Sequence, residues 1–444
     1  MKKLAVAIAL VGLVALGGQA FAVICAVDNV PSATLLLPYF AVDVGATADG
    51  SGQNTLFSVN NASATAILAH VVVWSDLSVP VLDFNIYLTG YDVQTVNLFD
   101  ILGKGLLPRT ASAGQDGTDT ISPKGAFSQD INFASCSGLL PPPPLPADFV
   151  QHLKDSLTGK ASTVFGGLCA GRNIGDNIAR GYITIDTVNN CTLRFPGDPG
   201  YFLPGGGGDA TDQNVLWGDY FSLNSAASFA DGDSLVNIEA SPTNPETTTV
   251  NFYTFYGRYD SPAWNAADNR EPLASNWAAR FVNGGAFAGG TDFLVWRDSK
   301  VNQGPFTCPA ITGRPFWYPL GQEGIVIFDE QEHPQVPTAF PVSPQPQNPT
   351  LVPFPAETQS THVGGAALPV PYDFGWIYLN LNTTVSAPAV NNPLDPAAAQ
   401  AYVSVRMTSQ GKYSVGYSAL HLDSLCSAGS YTLTLTGANH SVPH

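Results

Sequence analysis

Three tryptophans in this sequence are each followed, two positions later, by an aspartate. The pairs are Trp74 with Asp76, Trp217 with Asp219, and Trp296 with Asp298. An indole ring can stack on the apolar face of a sugar, while a nearby carboxylate accepts hydrogen bonds from the sugar hydroxyls. These six residues are therefore candidate ligand-binding residues for a carbohydrate. The alternative is a core tryptophan followed by an aspartate that caps a turn.

The densest polar cluster follows the apolar run from Ile325 to Phe328. It contains Asp329, Glu330, Glu332 and His333. Neighbouring carboxylates and an imidazole shift one another's pKa values, so such a cluster could bind a cation or transfer protons. Asp329 and Glu330 are the candidate acidic residues of a hydrolase that uses paired carboxylates. A solvated loop is the alternative.

No motif in the sequence identifies a reaction. GxSxG, HExxH, the phosphate-binding GxxxxGK and a GxGxxG at a strand-to-helix turn are all absent. Catalytic and metal-ligating residues therefore stay unassigned, and a non-catalytic protein is expected before an enzyme. No cofactor is expected, with structural Ca²⁺ as the alternative, because aspartates occur in glycine-rich loops. These are Asp43, Asp49, Asp116, Asp119, Asp231 and Asp233.

The clearest secondary-structure signal runs from Leu82 to Thr89, where apolar and polar residues alternate. A period of two residues predicts a β-strand with one buried face. The turn sequence TGYD and the run from Val93 then predict a hairpin. Between residues 137 and 168, apolar residues at helical spacing predict one amphipathic helix, with His152 facing solvent. The chain is thus predicted to be all-β with one short helical insertion at 137–168.

Short segments recur in the same order in two parts of the chain. HVVVWSD ends at Asp76 and DFLVWRD at Asp298, while ARGYITI begins at Ala179 and AQAYVSV at Ala399. Near-equal spacing is what a tandem duplication leaves. We therefore expect two tandem β-sandwich domains, immunoglobulin-like or jelly-roll-like, at 23–245 and 246–444. A single large sandwich is the alternative.

The N-terminus has the pattern of a secretory signal peptide. Lys2 and Lys3 precede an apolar run, and Ala20-Phe21-Ala22 resembles a cleavage site, which predicts a signal peptide at 1–22. Ile24 before Cys25 is too large for a lipoprotein site, so we expect a secreted or periplasmic protein without a lipid anchor. No later apolar stretch is long enough for a membrane-spanning helix.

Charge and composition restrict the class of partner. Loss of Lys2 and Lys3 would leave 16 basic residues against 35 acidic ones, which disfavours nucleic acid as a partner. Charged residues make up only 12% of the chain, about half the usual share. A surface rich in Ser, Thr, Asn and Gly is typical of exported β-proteins.

Six cysteines in an exported chain predict disulfide bonds. Our preferred pairing joins Cys136 to Cys169, Cys308 to Cys426 and, by elimination, Cys25 to Cys191. We expect a non-catalytic binding or structural protein of the cell exterior, whose partner is an extracellular polymer or a surface protein. The alternatives are a secreted hydrolase that acts on polysaccharide, and assembly into a surface layer or filament.

Overall fold

A computed structural model gives the arrangement of most of the chain. It describes residues 29–48, 50–240, 254–257, 268–299, 304–308, 318–322, 324–335, 352–381, 400–409 and 411–422. The predicted signal peptide, Cys25, Cys426, and the proposed domain boundary at residue 245 lie outside these residues. We call residues 29–240 the first half and residues 254–422 the second half. The predicted all-β class is confirmed, since antiparallel sheets dominate both halves.

The first half contains ten strands in two antiparallel sheets. The strands are β1 (Thr34–Asp43), β2 (Gln53–Asn61), β3 (Ile67–Ser75), β4 (Pro80–Leu88), β5 (Val93–Asn97), β6 (Ile178–Val188), β7 (Leu216–Trp217), β8 (Asp219–Asn224), β9 (Phe229–Ser234) and β10 (Val236–Ile238). Sheet 1 has the order β10-β1-β6-β3-β4. Sheet 2 has the order β5-β2-β8-β9, with β7 also paired to β2.

The described part of the second half contains nine strands, again in two antiparallel sheets. They are β11 (Asn276–Val282), β12 (Gly290–Arg297), β13 (Gly324–Phe328), β14 (Pro334–Gln335), β15 (Thr358–His362), β16 (Phe374–Asn380), β17 (Ala401–Ser409), β18 (Tyr413–Ser418) and β19 (Leu420–His421). Sheet 3 has the order β14-β13-β16-β11-β19, and sheet 4 has the order β15-β12-β17-β18.

The two halves have the same strand topology. Read from the opposite edge, sheet 3 repeats the order of sheet 1, with β11, β13, β14, β16 and β19 in the places of β1, β3, β4, β6 and β10. Sheet 4 repeats the order of sheet 2 as given, with β12, β15, β17 and β18 in the places of β2, β5, β8 and β9. The corresponding strands also follow one another in the same order along the chain, with β7 as the one addition in the first half.

The correspondence extends to a glycine in the central strand of sheets 1 and 3. Gly181 of β6 pairs with Phe40 of β1, and Gly375 of β16 pairs with Phe281 of β11. A Cβ atom at either glycine would overlap a backbone carbonyl oxygen of the strand on the other side and press on the phenylalanine ring. Only glycine lets the three strands come this close together.

An aromatic residue follows each of these glycines and stacks on a ring from that neighbouring strand. The rings of Tyr182 and Trp74 are stacked at 5.8 Å, and those of Trp376 and Phe328 at 4.5 Å. Trp74 therefore corresponds to Phe328 and not to Trp296, which lies in the non-equivalent strand β12. The segment pairs matched by sequence were wrong, because HVVVWSD and DFLVWRD, like ARGYITI and AQAYVSV, occupy strands that differ in topology.

Sheet 1 is buried on both faces. One face, which includes Leu37, Val73 and Ile185, packs with sheet 2 in a shared apolar core. The opposite face packs against the second half, where the ring of Tyr182 contacts that of Trp296 at 6.0 Å. This double coverage explains why every residue of β3 is buried.

A buried polar network also joins the two halves. The carboxylate of Asp186 accepts hydrogen bonds from the hydroxyls of Thr34 (2.5 Å), Tyr201 (2.7 Å) and Tyr256 (3.0 Å). Arg270, from the second half, donates to the Thr34 hydroxyl at 2.9 Å and lies 4.0 Å from Asp186. Burial, followed by the nearby Asp186 charge, raises the pKa of both tyrosines well above the usual value, so they act as neutral donors.

Two helices belong to the first half: α1 (Leu98–Lys104) and α2 (Ala147–Leu157). The helix expected at 137–168 is α2, and Leu153 and Leu157 on it reach the core shared by sheets 1 and 2. The prediction that His152 faces solvent was wrong, because its ring is 2% exposed. The predicted hairpin after Thr89 was also wrong, since β4 belongs to sheet 1 and β5 to sheet 2.

The disulfides differ from the predicted pairing. Cys136 bonds to Cys191, with their Cα atoms 5.0 Å apart, and Cys169 bonds to Cys308, with their Cα atoms 5.5 Å apart. The predicted Cys136–Cys169, Cys308–Cys426 and Cys25–Cys191 bonds were therefore wrong. Spacing along the chain misled the prediction, because disulfides depend on Cα separation in space. The Cys169–Cys308 bond links the two halves covalently.

Among the described residues, no helix has the length and apolar character needed to cross a membrane.

Candidate functional site

The outward surface of sheet 2 displays aromatic side chains to solvent. Along β7 and β8, Trp217, Asp219 and Phe221 point outward, whereas Leu216 and Tyr220 are buried. Trp217 is 48% exposed and Phe221 is 49% exposed. The alternation follows from the two-residue period of a strand, which sends successive side chains to opposite faces.

Strand β2 completes this surface, which we call the open face. Leu56 lies opposite Phe221, and Asn60 lies opposite Trp217. Between these two rows the Ser58 hydroxyl donates a hydrogen bond to the Asp219 carboxylate at 2.7 Å. The open face thus places a fixed carboxylate between two exposed rings.

A cavity of about 560 Å³ lies over part of the open face. Sheet 2, including its edge strand β5, forms the floor of the cavity, and α1 and the loop that follows α1 form its wall. The lining residues are Leu56, Phe57, Ser58, Gln94, Thr95, Val96, Asn97, Asp100, Ile101, Leu106, Leu107, Pro108, Arg109, Asp219 and Phe221. This volume is within the usual range for small-ligand sites.

Helix α1 is held in place by its caps. The Asn97 side chain accepts a hydrogen bond from the Phe99 amide, and Gly105 ends the helix with a left-handed conformation, φ +74°. Lys104 donates to Asp100 at 2.6 Å one turn earlier. These contacts fix the side of the cavity that carries Asp100.

The lining offers many hydrogen-bonding groups and little net charge. Asp100 and Asp219 supply acceptors, Arg109 supplies donors, and Gln94, Thr95 and Asn97 supply both. Apolar side chains such as Leu56, Ile101 and Phe221 complete the lining. This mixture suits a ligand that is neutral and rich in hydroxyl groups but has an apolar face.

The cavity continues along sheet 2. A second cavity of about 600 Å³ shares Leu56 and Asn97 with the first, and extends to Leu223, Phe229 and the loop at Gly50 and Gly52. Together they form a trough along the outward surface of the sheet.

The other two predicted tryptophan and aspartate pairs lie in the interior. The rings of Trp74 and Trp296 are buried and pack on opposite sides of Tyr182. Asp76 is buried and binds Arg172 at 2.5 Å. Asp298 is buried and accepts a hydrogen bond from Gln400 at 3.1 Å. Of the three predicted pairs, Trp217 and Asp219 are therefore the pair at the surface.

Asp329 and Glu330 lie on the loop after β13, away from both cavities. The Asp329 carboxylate accepts hydrogen bonds from the ring of His333 at 2.9 Å and from its backbone amide at 2.9 Å. Desolvation raises the pKa of Asp329, but these hydrogen bonds and that of Gln331 outweigh it and lower the pKa below its usual value. Glu330 is exposed. The hydrogen bonds of Asp329 thus close a turn in this loop, and Glu330 takes no part in them.

The calcium expectation receives no support from the loops that the structure describes. In this part of the chain, no group of three or more His, Cys, Asp or Glu side chains could hold a metal ion. Asp116 accepts hydrogen bonds from Thr118, Thr120 and Ile121, and Asp231 binds Arg406. Asp49 lies outside the described residues.

Sequence reasoning missed the residues that make Trp217 and Asp219 part of a site. Phe221 could have been found, because it continues the two-residue alternation from Trp217. Asp100 and Arg109 could not, since helix α1 was read as the end of a strand. Their approach to Asp219 depends on the pairing of β5 with β2.

In comparisons with known proteins, no family model, curated protein or solved structure matches this chain.

Proposed function

We propose that this protein is an exported, non-catalytic binding protein and that its open face binds a neutral, extended polymer, such as a polysaccharide. The observation that carries the proposal is the outward display of Trp217, Asp219 and Phe221 beside a cavity lined with hydrogen-bonding groups. Exposed rings at two rows of a sheet would stack on successive sugar units, and the carboxylate between them would accept their hydroxyl hydrogen bonds.

Contact between these rings and water is unfavourable in free energy, and a partner that covered them would remove that contact. Large apolar side chains that are grouped on a surface commonly mark interaction sites. Here Trp217 and Phe221 lie on the same outward surface as Leu56, and Phe221 and Leu56 line the trough. Two disulfide bonds support an oxidising location outside the cytoplasm, in line with the signal peptide expected at 1–22.

Binding to a panel of neutral polysaccharides, followed by calorimetry on the best ligand, tests the proposal. Trp217→Ala and Phe221→Ala should each weaken binding about tenfold, which is the effect of losing a central aromatic contact. The matched control is Phe127→Ala, since Phe127 is 88% exposed but does not line the trough. The proposal would be refuted if the protein bound none of the neutral polymers. It would also be refuted if Phe127→Ala lost as much affinity as Trp217→Ala and Phe221→Ala.

A hydrolase that acts on polysaccharide is the second candidate. One observation favours it: Asp100 and Asp219 line the same cavity, and two carboxylates in one cleft are the minimum for glycoside hydrolysis. This enzyme would release reducing sugar from its polymer, and Asp219→Asn or Asp100→Asn would abolish the release. If hydrolysis were lost instead in Asp329→Asn or Glu330→Gln, the loop after β13 would carry the reaction. Binding without release supports the non-catalytic proposal.

A further inference from the structure

A third cavity, of about 520 Å³, lies where the two halves meet. Its lining comes from both halves: Tyr39, Gln53, Arg172, Ile174, Arg180, Asn224, Ala227, Ser228 and Phe229 from the first, and Asp292, Ser360, Arg406, Thr408, Gly411 and Tyr413 from the second. We call it the junction cavity. Neither half could form it alone.

Three arginines line the junction cavity in a chain of net charge −17. Each is held by an aspartate that does not itself line the cavity. The ion pairs are Arg172 with Asp76 at 2.5 Å, Arg180 with Asp176 at 2.7 Å, and Arg406 with Asp231 at 2.7 Å. The carboxylates lie behind the guanidinium groups and fix their orientation, as supporting residues do in built binding sites.

The ion pair with Asp231 leaves hydrogen-bond donors of Arg406 free. Its Nε and Nη2 groups bind Asp231, and its Nη1 group makes no hydrogen bond within the described part of the chain. The guanidinium also lies over the Phe229 ring, with its carbon 4.6 Å from the ring centroid. The fork is therefore held on two sides and has donors left for a ligand.

Tyr39 adds a hydroxyl group among the three arginines. Its side chain is 4% exposed and interacts electrostatically with Arg180. Burial raises the pKa of Tyr39, although the positive charges of Arg180, Arg406 and Arg172 oppose the rise. The phenol is therefore neutral at physiological pH, and its O–H can donate to an anion.

One carboxylate lines the cavity against these donors. Asp292 accepts a hydrogen bond from the ring of His362 at 2.8 Å and lies on the second-half side. Asp76, Asp176 and Asp231 offset the charges of the three arginines, so the cavity has no excess of positive charge. What favours an anionic ligand is the set of guanidinium and hydroxyl donors that the ion pairs leave free. The remaining polar groups, Gln53, Asn224 and Ser360 among them, match ligand hydroxyls or carbonyls.

We propose that the junction cavity binds a small molecule that carries a carboxylate and hydroxyl groups, such as a uronic acid or a hydroxy acid. The arginine forks match the planar geometry of a carboxylate, and Phe229 and Tyr413 provide apolar walls for its carbon skeleton. Phe229 and Ser228 line both this cavity and the trough, but the three arginines and Tyr39, which carry the inference, do not line the trough.

Isothermal titration calorimetry of the full chain with glucuronate and with citrate tests the proposal. Glucose and sulfate serve as the neutral and the non-carboxylate comparisons. We expect saturable binding of glucuronate or citrate, and no binding of glucose. Tyr39→Phe, which keeps the ring and removes one donor, should weaken binding about tenfold, the usual effect of losing a hydrogen bond to a charged group.

A double substitution removes the arginine without leaving its buried partner charged. Arg406→Gln combined with Asp231→Asn should abolish binding, while Arg194→Gln, at an exposed ion pair remote from the cavity, should not change it. Failure of both acids to bind the wild-type chain would overturn the proposal. So would unchanged binding in Tyr39→Phe and the double variant, or an equal affinity for sulfate.

Discussion

The two halves repeat one arrangement of strands but use the same surface in different ways. In the first half the outward surface of sheet 2 is open, with Trp217 and Phe221 exposed. In the second half the corresponding surface of sheet 4 is covered by sheet 1, so that Leu294 packs against Tyr39 and Ala41. One copy of the surface therefore joins the halves, and the other copy stays exposed to solvent.

A second difference lies in the connection after the fifth strand of each half. Residues 98–177 connect β5 to β6, whereas residues 363–373 connect β15 to β16. The longer connection carries both helices and supplies the wall of the cavity over sheet 2. The two halves therefore share their strand arrangement and differ in this connection, which forms part of the cavity only in the first half.

The first prediction tests whether the buried ion network holds the halves together. Arg270→Met should lower the free energy of unfolding by about 3 to 5 kcal/mol, because the buried Asp186 and Asp212 would lose their cation. Arg280→Met is the matched control, since Arg280 is exposed on the same half. Urea unfolding measures both.

Pairing Arg270→Met with Asp186→Asn should restore part of the lost stability, because the uncompensated charge is then removed. A loss below about 1 kcal/mol in Arg270→Met would mean that this ion network contributes little to holding the halves together.

The second prediction tests the residue correspondence. Gly181→Ala and Gly375→Ala should each cost about 1 to 3 kcal/mol, and by similar amounts, because the added Cβ meets a carbonyl oxygen and a phenylalanine ring at both sites. Gly117→Ala and Gly304→Ala are the controls, one in each half, since a Cβ there meets nothing within 4 Å. Thermal unfolding measures all four. A large cost at one glycine with none at the other would break the correspondence.

The third prediction concerns the insertion, which has no counterpart in the second half. His152 on α2 is buried against Ser162, at 2.6 Å, and the carbonyl of Val81, at 3.2 Å. Burial lowers its pKa, although the Val81 hydrogen bond and Asp155 oppose the shift. Below the unfolded pKa of about 6.5, the unfolded chain therefore binds more protons than the folded chain.

Stability should accordingly fall as the pH drops below about 6.5, by at most about 1.4 kcal/mol per pH unit from this group. The free energy of unfolding, compared at pH 7.5 and 5.5, should decline less in His152→Gln than in the wild type. An equal decline in both proteins would show that other groups set the pH dependence.

The sequence was sufficient for the fold class and for one element of the site. Alternation in strands such as Leu82 to Thr89 is local, and so is the helical spacing around Leu153, so both could be read directly. The segment pairs from which a tandem repeat was inferred lie on strands that do not correspond, so the shared topology was not read from the sequence. The pattern Val-Trp-x-Asp occurs at the end of buried strands in general and does not identify equivalent ones. The equivalent strands of the two halves are marked by Gly181 and Gly375, and the close packing at these glycines is visible only in three dimensions.

The remaining features depend on contacts between distant segments. The disulfide partners, the approach of Asp100 to Asp219, and the meeting of Arg172, Arg180 and Arg406 all follow from sheet pairing across the chain. Burial of both faces of sheet 1 is also a tertiary effect, and it turned two predicted surface tryptophans into core residues. Patterns with a period of two residues describe one sheet at a time, and they carry no information on which sheet covers which.

The bond between Cys169 and Cys308 sets an order of events during synthesis. A chain is made from its N-terminus, so the thiol of Cys169 exists for 139 residues of further elongation before its partner is available. Cys136 and Cys191 are separated by only 55 residues and can close first. The first half therefore reaches its final covalent form only after synthesis has passed Cys308, which belongs to the second half.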